Sequence, residues 1–424
     1  MARICIVGAS LGGLLAANML LRDGHDVQVL EKSAGSLDGR GAGIVTHKAL
    51  SVALHRCGVP LFDDSSDEAL GVKVQTRVAL NAQGSEVTRL DMPQVLTSWS
   101  RLYALLRRGF PADRMHGGLT VTSFSQDPRS VQVSAHHADT GPCQFEGDLL
   151  IASDGLRSAV RAQLAPLAVP EYAGYIAWRG VCDEAVLSAR TLRTVFPYFA
   201  FGLPDGEQLI GYPVAGNHNA TAPGLRRWNF VWYRPAAATE LQDLLTDADG
   251  IHHPLGIAPQ RIRSCHIAAM LEAANRLLAP QFAEIIARTA QPFVQPIFDV
   301  ASERIAFNRV ALMGDAAFVA RPHVGMGVTK AAEDTMALSD CIRAHGATAH
   351  ALAAFEAQRL PAGLAVVQRA RSLGAYLGAH LGANLGTHSA SKFRDAAAVL
   401  RDTAIDAGAL QKGAPTHLTA ALAY

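Results

Sequence analysis

The chain has 424 residues, 49% hydrophobic and 18% charged, which fits a core-forming globular protein of two or three domains and excludes a disordered one. Thirty-eight basic against 37 acidic side chains leave a net charge of +1, so no electrostatic footprint for nucleic acid or an anionic membrane exists. No apolar run reaches the roughly 18 residues of a membrane span, and the start enters a strand rather than a signal peptide. The six cysteines (Cys5, Cys57, Cys143, Cys182, Cys265, Cys341) lie far apart with no C-x-x-C, so neither a disulfide framework nor a metal site is expected, and the compartment reads as the cytoplasm.

Residues 3–7 form a short apolar run, read as a buried parallel strand; GASLGG follows at 8–13, then an Ala- and Leu-rich helix over 14–22 stopped by Gly24. Residues 26–30 are a second strand ending in Glu31, which completes a βαβ unit and implies a doubly wound parallel sheet. Strands are predicted at 72–80 and 85–91 about the turn 81–84, at 198–203 and 208–214 about Pro204–Asp205–Gly206, and at 226–233. These hairpins argue for a mixed sheet inserted into the first domain. Apolar strands at 148–152 and 309–313 return to that first domain, each running into an Asp/Gly pair. The expected division is a discontinuous nucleotide-binding domain (1–71, 100–170, 281–370), an inserted substrate domain (72–99, 171–280) and a C-terminal helical segment (371–424). Within that segment GAYLGAHLGANLG at 374–386 repeats glycine every four residues, which reads as close helix packing or a loop.

GASLGG between a strand and a helix is a pyrophosphate cradle: the turn amides and the helix N-terminus present donors and partial positive charge. Gly8 permits the tight turn and Gly13 the close approach of helix to strand, while Ser10 replaces the second fingerprint glycine. Glu31, 23 positions after Gly8, is placed to accept from both ribose hydroxyls, which disfavours a 2′-phosphate. Two later motifs, Asp154–Gly155 before a helix with Arg157 and Arg161, and Gly314–Asp315 before a helix opened by Gly325, Met326 and Gly327, have ordinary readings as an N-cap and a turn. Asp315 can also accept from sugar-like hydroxyls, and the Gly325–Gly327 amides can stabilise developing negative charge.

In this order and spacing the three motifs resemble the FAD-dependent aromatic hydroxylases, the single-component (class A) flavoprotein monooxygenases of the p-hydroxybenzoate hydroxylase type, over about the first 370 residues. The resemblance implies non-covalent FAD, with the ADP half held at Gly8, Ser10, Leu11, Gly12, Gly13, Glu31 and Lys32. It puts both FAD and NAD(P)H contacts at Asp154 and Gly155, and the ribityl chain at Asp315. It sets Arg40, Gly43, Ile44 and Val45 beside the isoalloxazine, Val121 near adenine, Arg101 towards the pyrophosphate, and Pro322, Gly325, Met326 and Gly327 at the flavin ring. Glu171–Gly180, Gln208–Pro213 and Arg321–His323 look like those of hydroxylases of hydroxylated N-heterocycles.

The chemistry so implied uses NADH or NADPH as a transient co-substrate and O2, which adds to the reduced flavin as a hydroperoxide that hydroxylates a small electron-rich aromatic or N-heteroaromatic ring. That task calls for a base of near-neutral pKa. Among 16 histidines, His47 follows GAGIVT and His323 precedes the flavin-side glycines; for each the ordinary reading is a histidine bonded to backbone. Tyr212 shares a strand face with Ile210 and Val214 and is a third catalytic candidate, with Trp178 and Arg179 as further pocket residues, more ordinarily core and ion-pair partner. The competing readings are an FAD-binding redox sensor or scaffold without turnover, and a halogenase or reductase on the same fold, the halogenase disfavoured by the lack of a W-x-W-x-I-P segment. A homodimer is left open.

Overall fold

The computed structural model describes residues 1–35, 43–59, 70–377 and 395–405. Arg3–Val7 pairs in parallel with Asp26–Leu30 on one side and Leu149–Ala152 on the other; Met115–His116 and Val310–Leu312 continue the parallel set outwards. Leu149 to Ala152 are wholly buried, as a strand covered on both faces requires. The crossover helix, Leu11–Arg22, starts three residues earlier than its apolar run suggested and buries every residue from Gly13 to Leu20. It packs on the helices Trp99–Gly109 and Gly327–His345. A three-stranded antiparallel sheet (Leu119–Gln126, Val131–His137, Gly141–Gly147) adds Val121, Phe124 and Val133 to the same core.

The second sheet has nine strands. In spatial order they are Phe318–Val319, Phe293–Ala301, Glu171–Asp183, Arg227–Pro235, Gln208–Val214, Phe199–Gly202, Val72–Leu80, Glu86–Ser98 and Gly43–Val45. Phe199–Gly202 runs parallel to Val72–Leu80 and the other neighbours are antiparallel, so the sheet is mixed. Two segments move across the expected domain boundaries. Phe293–Ala301, assigned with 281–370 to the nucleotide half, pairs with Glu171–Asp183, and the preceding helix Pro280–Arg288 puts Phe282, Ile285 and Ile286 into the second sheet's core. Gly43–Val45, assigned to 1–71, is that sheet's edge. An apolar run announces a strand, but not which strand it will pair with.

Alternation along each strand gives the large sheet two faces. Trp178, Cys182, Trp228, Phe230 and Trp232 point to one side, under the helices Ser264–Leu277 and Pro280–Arg288. Tyr175, Ala177, Ile210, Tyr212, Val231 and Tyr233 point to the other, which Tyr376, Leu377, Val399 and Leu400 help to cover. Fully buried Arg77 fixes this cover: it donates to the carbonyls of Leu400 and Thr403, both at 2.6 Å, at the C-terminal end of the helix Ala396–Asp402, where a cation is favoured. Gly374 ends the helix Ala349–Gly374, and a Cβ there would sit 2.6 Å from both the Tyr175 hydroxyl and His323 Cε1, which accords with close packing; 378–386 of the glycine repeat lie outside the described residues. No helix among the described residues is long and apolar enough to cross a membrane.

Candidate active site

The phosphate end is built on a turn in which Gly8 and Gly13 have no room for a side chain. Gly8 has φ +96°, a region that favours glycine, and a Cβ on it would lie 2.5 Å from the Ser153 carbonyl. A Cβ on Gly13 would lie 1.9 Å from the Gly8 carbonyl oxygen, so helix and strand meet backbone to backbone. Ser10 is the N-cap residue but its exposed side chain makes no capping bond. Leu11 is buried, and Gly12 faces Ser153 Oγ and Ala331.

Glu31 does more than end a strand. One carboxylate oxygen accepts from the Ala9 amide at 2.8 Å and the other from the Ser33 amide at 2.9 Å, so it staples the glycine turn to the second strand. Each oxygen keeps a lone pair for a ribose hydroxyl. The carboxylate opens onto a cavity of about 430 Å³ that Gly8, Ser10, Lys32, Val121, Asp154 and Gly155 also line. Trp99, rather than Arg101, is the lining residue from its helix; the Arg101 amide is capped by Ser98 Oγ at 3.1 Å, and burial lowers the pKa of its half-buried guanidinium. Arg40 lies outside the described residues.

Asp154 Oδ2 accepts from the Ala159 amide at 2.9 Å, but the N-cap of that helix is Ser158, whose Oγ accepts from the Arg161 amide at 2.9 Å; Asp154 Oδ1 is buried with no partner among the described residues, and burial raises the carboxyl above its usual range. Gly155, at φ +77°, has open space where a Cβ would be. Arg161 stitches this loop to the third motif, donating to the carbonyls of Ala168 at 3.0 Å and Ala316 at 2.9 Å. Asp315 turns outward, with its side chain 55% exposed, 3.3 Å from the fully buried Lys330. Lys330 also donates to the Gly314 and Phe318 carbonyls. Pro322 opens the turn Pro322–Val324, Gly325 has φ +70°, Met326 is buried, and Gly327 begins a 19-residue helix with open space beside it. Open space at Gly155 and Gly327, with the outward Asp315 carboxylate and the Glu31 carboxylate lining the cavity, fits a dinucleotide with a polyol chain.

The large sheet meets this frame at Gly43, Ile44 and Val45. The Gly43 amide donates to Asn229 Oδ1 at 2.8 Å, and a Cβ on Gly43 would lie 2.9 Å from the Tyr212 hydroxyl. Burial pushes the Tyr212 phenol well up, so it stays neutral and keeps a proton it can donate. His47 is buried four residues on, with Nδ1 2.7 Å from Thr329 Oγ1 in the first turn of the helix Gly327–His345. His323 is buried too, and its Nε2 donates to the Ala370 carbonyl at 2.9 Å while its ring packs edge-on to Tyr233. That geometry supplies the ordinary, backbone-bonded role. Trp178 points away into the far core, and Arg179 donates to Gln295 at 2.6 Å on the near face.

Asn229 and Lys330 were not singled out from sequence, and Arg161 was named only as a helix residue with no role. Each carried a signal: one polar residue inside the aromatic run RWNFVWY, and single cations in apolar helical stretches, where buried polar groups require partners. The roles of Glu31 and Asp315 are testable. Glu31→Ala and Asp315→Ala should each weaken FAD retention by about 1.5–3 kcal/mol, the scale of hydrogen bonds to charged acceptors. Titration of the apoprotein with FAD, followed by flavin fluorescence, measures it; unchanged affinity in both variants would remove these residues from the cofactor site.

Two family models match, an FAD binding domain over residues 1–196 and an FAD binding domain-like model over residues 172–299. The chain is 30% identical to 2,6-dihydroxypyridine 3-monooxygenase of Paenarthrobacter nicotinovorans over 377 residues, covering 88% of this chain and 91% of that enzyme. It is 31% identical to the aurachin C monooxygenase/isomerase of Stigmatella aurantiaca, covering 84% of this chain and 85% of that one. The solved structure of 2,6-dihydroxypyridine-3-hydroxylase from Arthrobacter nicotinovorans superposes with a TM-score of 0.81 at 30% identity, covering 89% of this chain and 93% of that one.

Proposed function

The chain belongs to the FAD-dependent aromatic monooxygenases, and within that family we propose that it hydroxylates a small, electron-rich hydroxypyridine- or phenol-like ring, with NADH or NADPH as reductant and O2 as oxidant. The observation that carries this reading is the polar pair Tyr212 and Asn229 on the inner face of the large sheet, against the Gly43 strand that leads to His47 four residues on. A buried apolar wall interrupted by a few fixed polar groups suits a flat ring with oxygen substituents.

FAD is non-covalent in this reading, held by the Gly8–Gly13 turn, Glu31 and Asp315, with the ring system beside Gly43 and the Gly327 amide end. Once bound and reduced, it supplies the activation of O2 that places one oxygen atom on the ring and releases the other as water. The protein's own work is to orient the ring, take its hydroxyl proton and exclude water. With Nδ1–H donating to Thr329 Oγ1, the tautomer leaves the lone pair of His47 on Nε2, which can accept that proton. The buried inner face keeps bulk water from diverting the reaction to hydrogen peroxide.

Incubating the yellow protein with a hydroxypyridine and phenol panel, NADH or NADPH and isotopically labelled O2 tests the reading. The expected product carries one added hydroxyl whose oxygen comes from O2. Oxidation of the nucleotide to hydrogen peroxide alone, across the whole panel, would defeat it.

A further inference from the structure

Asn229 is fully buried in the strand Arg227–Pro235, and its amide orientation is not arbitrary. The Gly43 N–H points at the side chain from 2.8 Å, and only the oxygen end can accept it. Nδ2 must therefore face the other way. There it is buried and has no hydrogen-bond partner among the described residues. A buried amide with two unused N–H donors is costly unless a ligand completes it.

Its neighbour sharpens the chemistry. Tyr212 is the residue directly opposite Asn229 in the antiparallel pair, so the two side chains share one face. Both crowd one point: a Cβ on Gly43 would lie 2.9 Å from Asn229 Cγ and 2.9 Å from the Tyr212 hydroxyl. The Asn229 Nδ2 can only donate, and the Tyr212 hydroxyl beside it can donate too, so the pair suits an acceptor.

We propose that Asn229 is the specificity-determining residue of the site: with its oxygen held by Gly43, its Nδ2 donates, beside the Tyr212 hydroxyl, to an oxygen substituent of the aromatic ring, best when that oxygen is anionic. This rests on the hydroxylase reading and deepens it. The site selects rings that bear oxygen acceptors over rings of the same shape that bear amino donors. A site built to complete a buried polar group rejects the analogue that leaves it unpaired.

The test uses the FAD-loaded protein without reductant and reads ring binding from the change in flavin absorbance. The probes are 2,6-dihydroxypyridine and 2,6-diaminopyridine, isosteric and opposite in hydrogen bonding. Wild type should bind the dihydroxy ring more tightly. Asn229→Asp keeps an oxygen for Gly43 and replaces the donor by an acceptor, so the preference should invert, with the dihydroxy ring losing about 10–150-fold. Asn229→Leu, close in size, should lose the dihydroxy ring's advantage without gaining the diamino one, and it decides the matter if the aspartate variant fails to fold. Unchanged preference in folded variants would overturn the proposal, as would a loss of FAD content or a shifted flavin spectrum with ring binding intact, which would assign Nδ2 to the flavin instead. Failure of wild type to bind any hydroxylated ring would instead remove the hydroxylase reading, and this inference with it.

Discussion

Gly13→Ala is expected to yield a destabilised protein that purifies without its yellow cofactor. The added Cβ would stand 1.9 Å from the Gly8 carbonyl oxygen, a backbone atom. Gly8 cannot retreat, because its amide is bonded to the Leu30 carbonyl at 2.8 Å and its own face lies against Ser153. The helix Leu11–Arg22 cannot retreat either, since Gly13 to Leu20 are packed on the sheet and its neighbours. Overpacking against fixed backbone costs about 3 kcal/mol or more, and here it also moves the amides that would meet the pyrophosphate. Gly12→Ala is the matched control: its Cβ would meet the Ser153 hydroxyl at 2.9 Å, a side chain that can rotate away. Thermal melting and FAD per chain should rank wild type above Gly12→Ala above Gly13→Ala. Equal melting and full occupancy in Gly13→Ala would mean that helix and strand do not meet as described.

The parallel half was legible because its signals are local. A buried apolar strand, a glycine turn and an apolar helix lie within thirty residues, and their spacing alone sets the crossover. Gln208–Val214 came out with the boundaries read beside the turn Pro204–Asp205–Gly206, and Ile210, Tyr212 and Val214 share a face as period two requires. What was not legible depends on pairings across the chain. The Gly43–Asn229 bond joins residues 186 apart, and the His47–Thr329 bond residues 282 apart; nothing near either end announces the other. The limit at 281 shifted for the same reason, and Gly43–Val45 joins the second sheet although Leu50, Leu54 and Leu70 on the same segment stay in the first core. The spacing places Glu31 to accept from ribose hydroxyls; that both its oxygens hold backbone amides is visible only once the Ala9 and Ser33 amides are placed in space. Arg77 has a nearer partner in Gln94 Oε1, but the carbonyls it joins to the sheet belong to a helix end more than 300 positions later, which no local pattern announces.

His323 and His47 separate along the same line. Both are buried, but the His323 Nε2 proton is spent on the Ala370 carbonyl, and Tyr175 and Tyr233 flank the ring. The His47 ring is held by a hydroxyl instead, on the first turn of the helix whose amide end borders open space. A hydroxyl can accept from Nδ1 or donate to it, so the His47 proton can change nitrogen without breaking the contact, which a carbonyl partner forbids.

His47→Ala should therefore slow ring hydroxylation by about 10²–10⁴-fold, the usual worth of general-base help, while FAD stays bound, because no cofactor contact is assigned to this side chain. Oxidation of NADH or NADPH should continue, with its electrons diverted to hydrogen peroxide. Thr329→Val keeps the volume of the buried threonine and removes only the hydroxyl that orients Nδ1, so its loss should be smaller and of the same kind. The defect should shrink for rings already ionised at the assay pH, since they have no proton to give up. That last dependence separates a base from a residue that merely shapes the segment after Val45: a packing defect would slow ionised and neutral rings alike. Hydroxylated product per nucleotide oxidised, measured for both kinds of ring in wild type, His47→Ala and Thr329→Val, decides between them. Equal coupling and equal rates in all three would leave the proton to Tyr212 or to water, and His47 as a buried link between the edge strand and the helix.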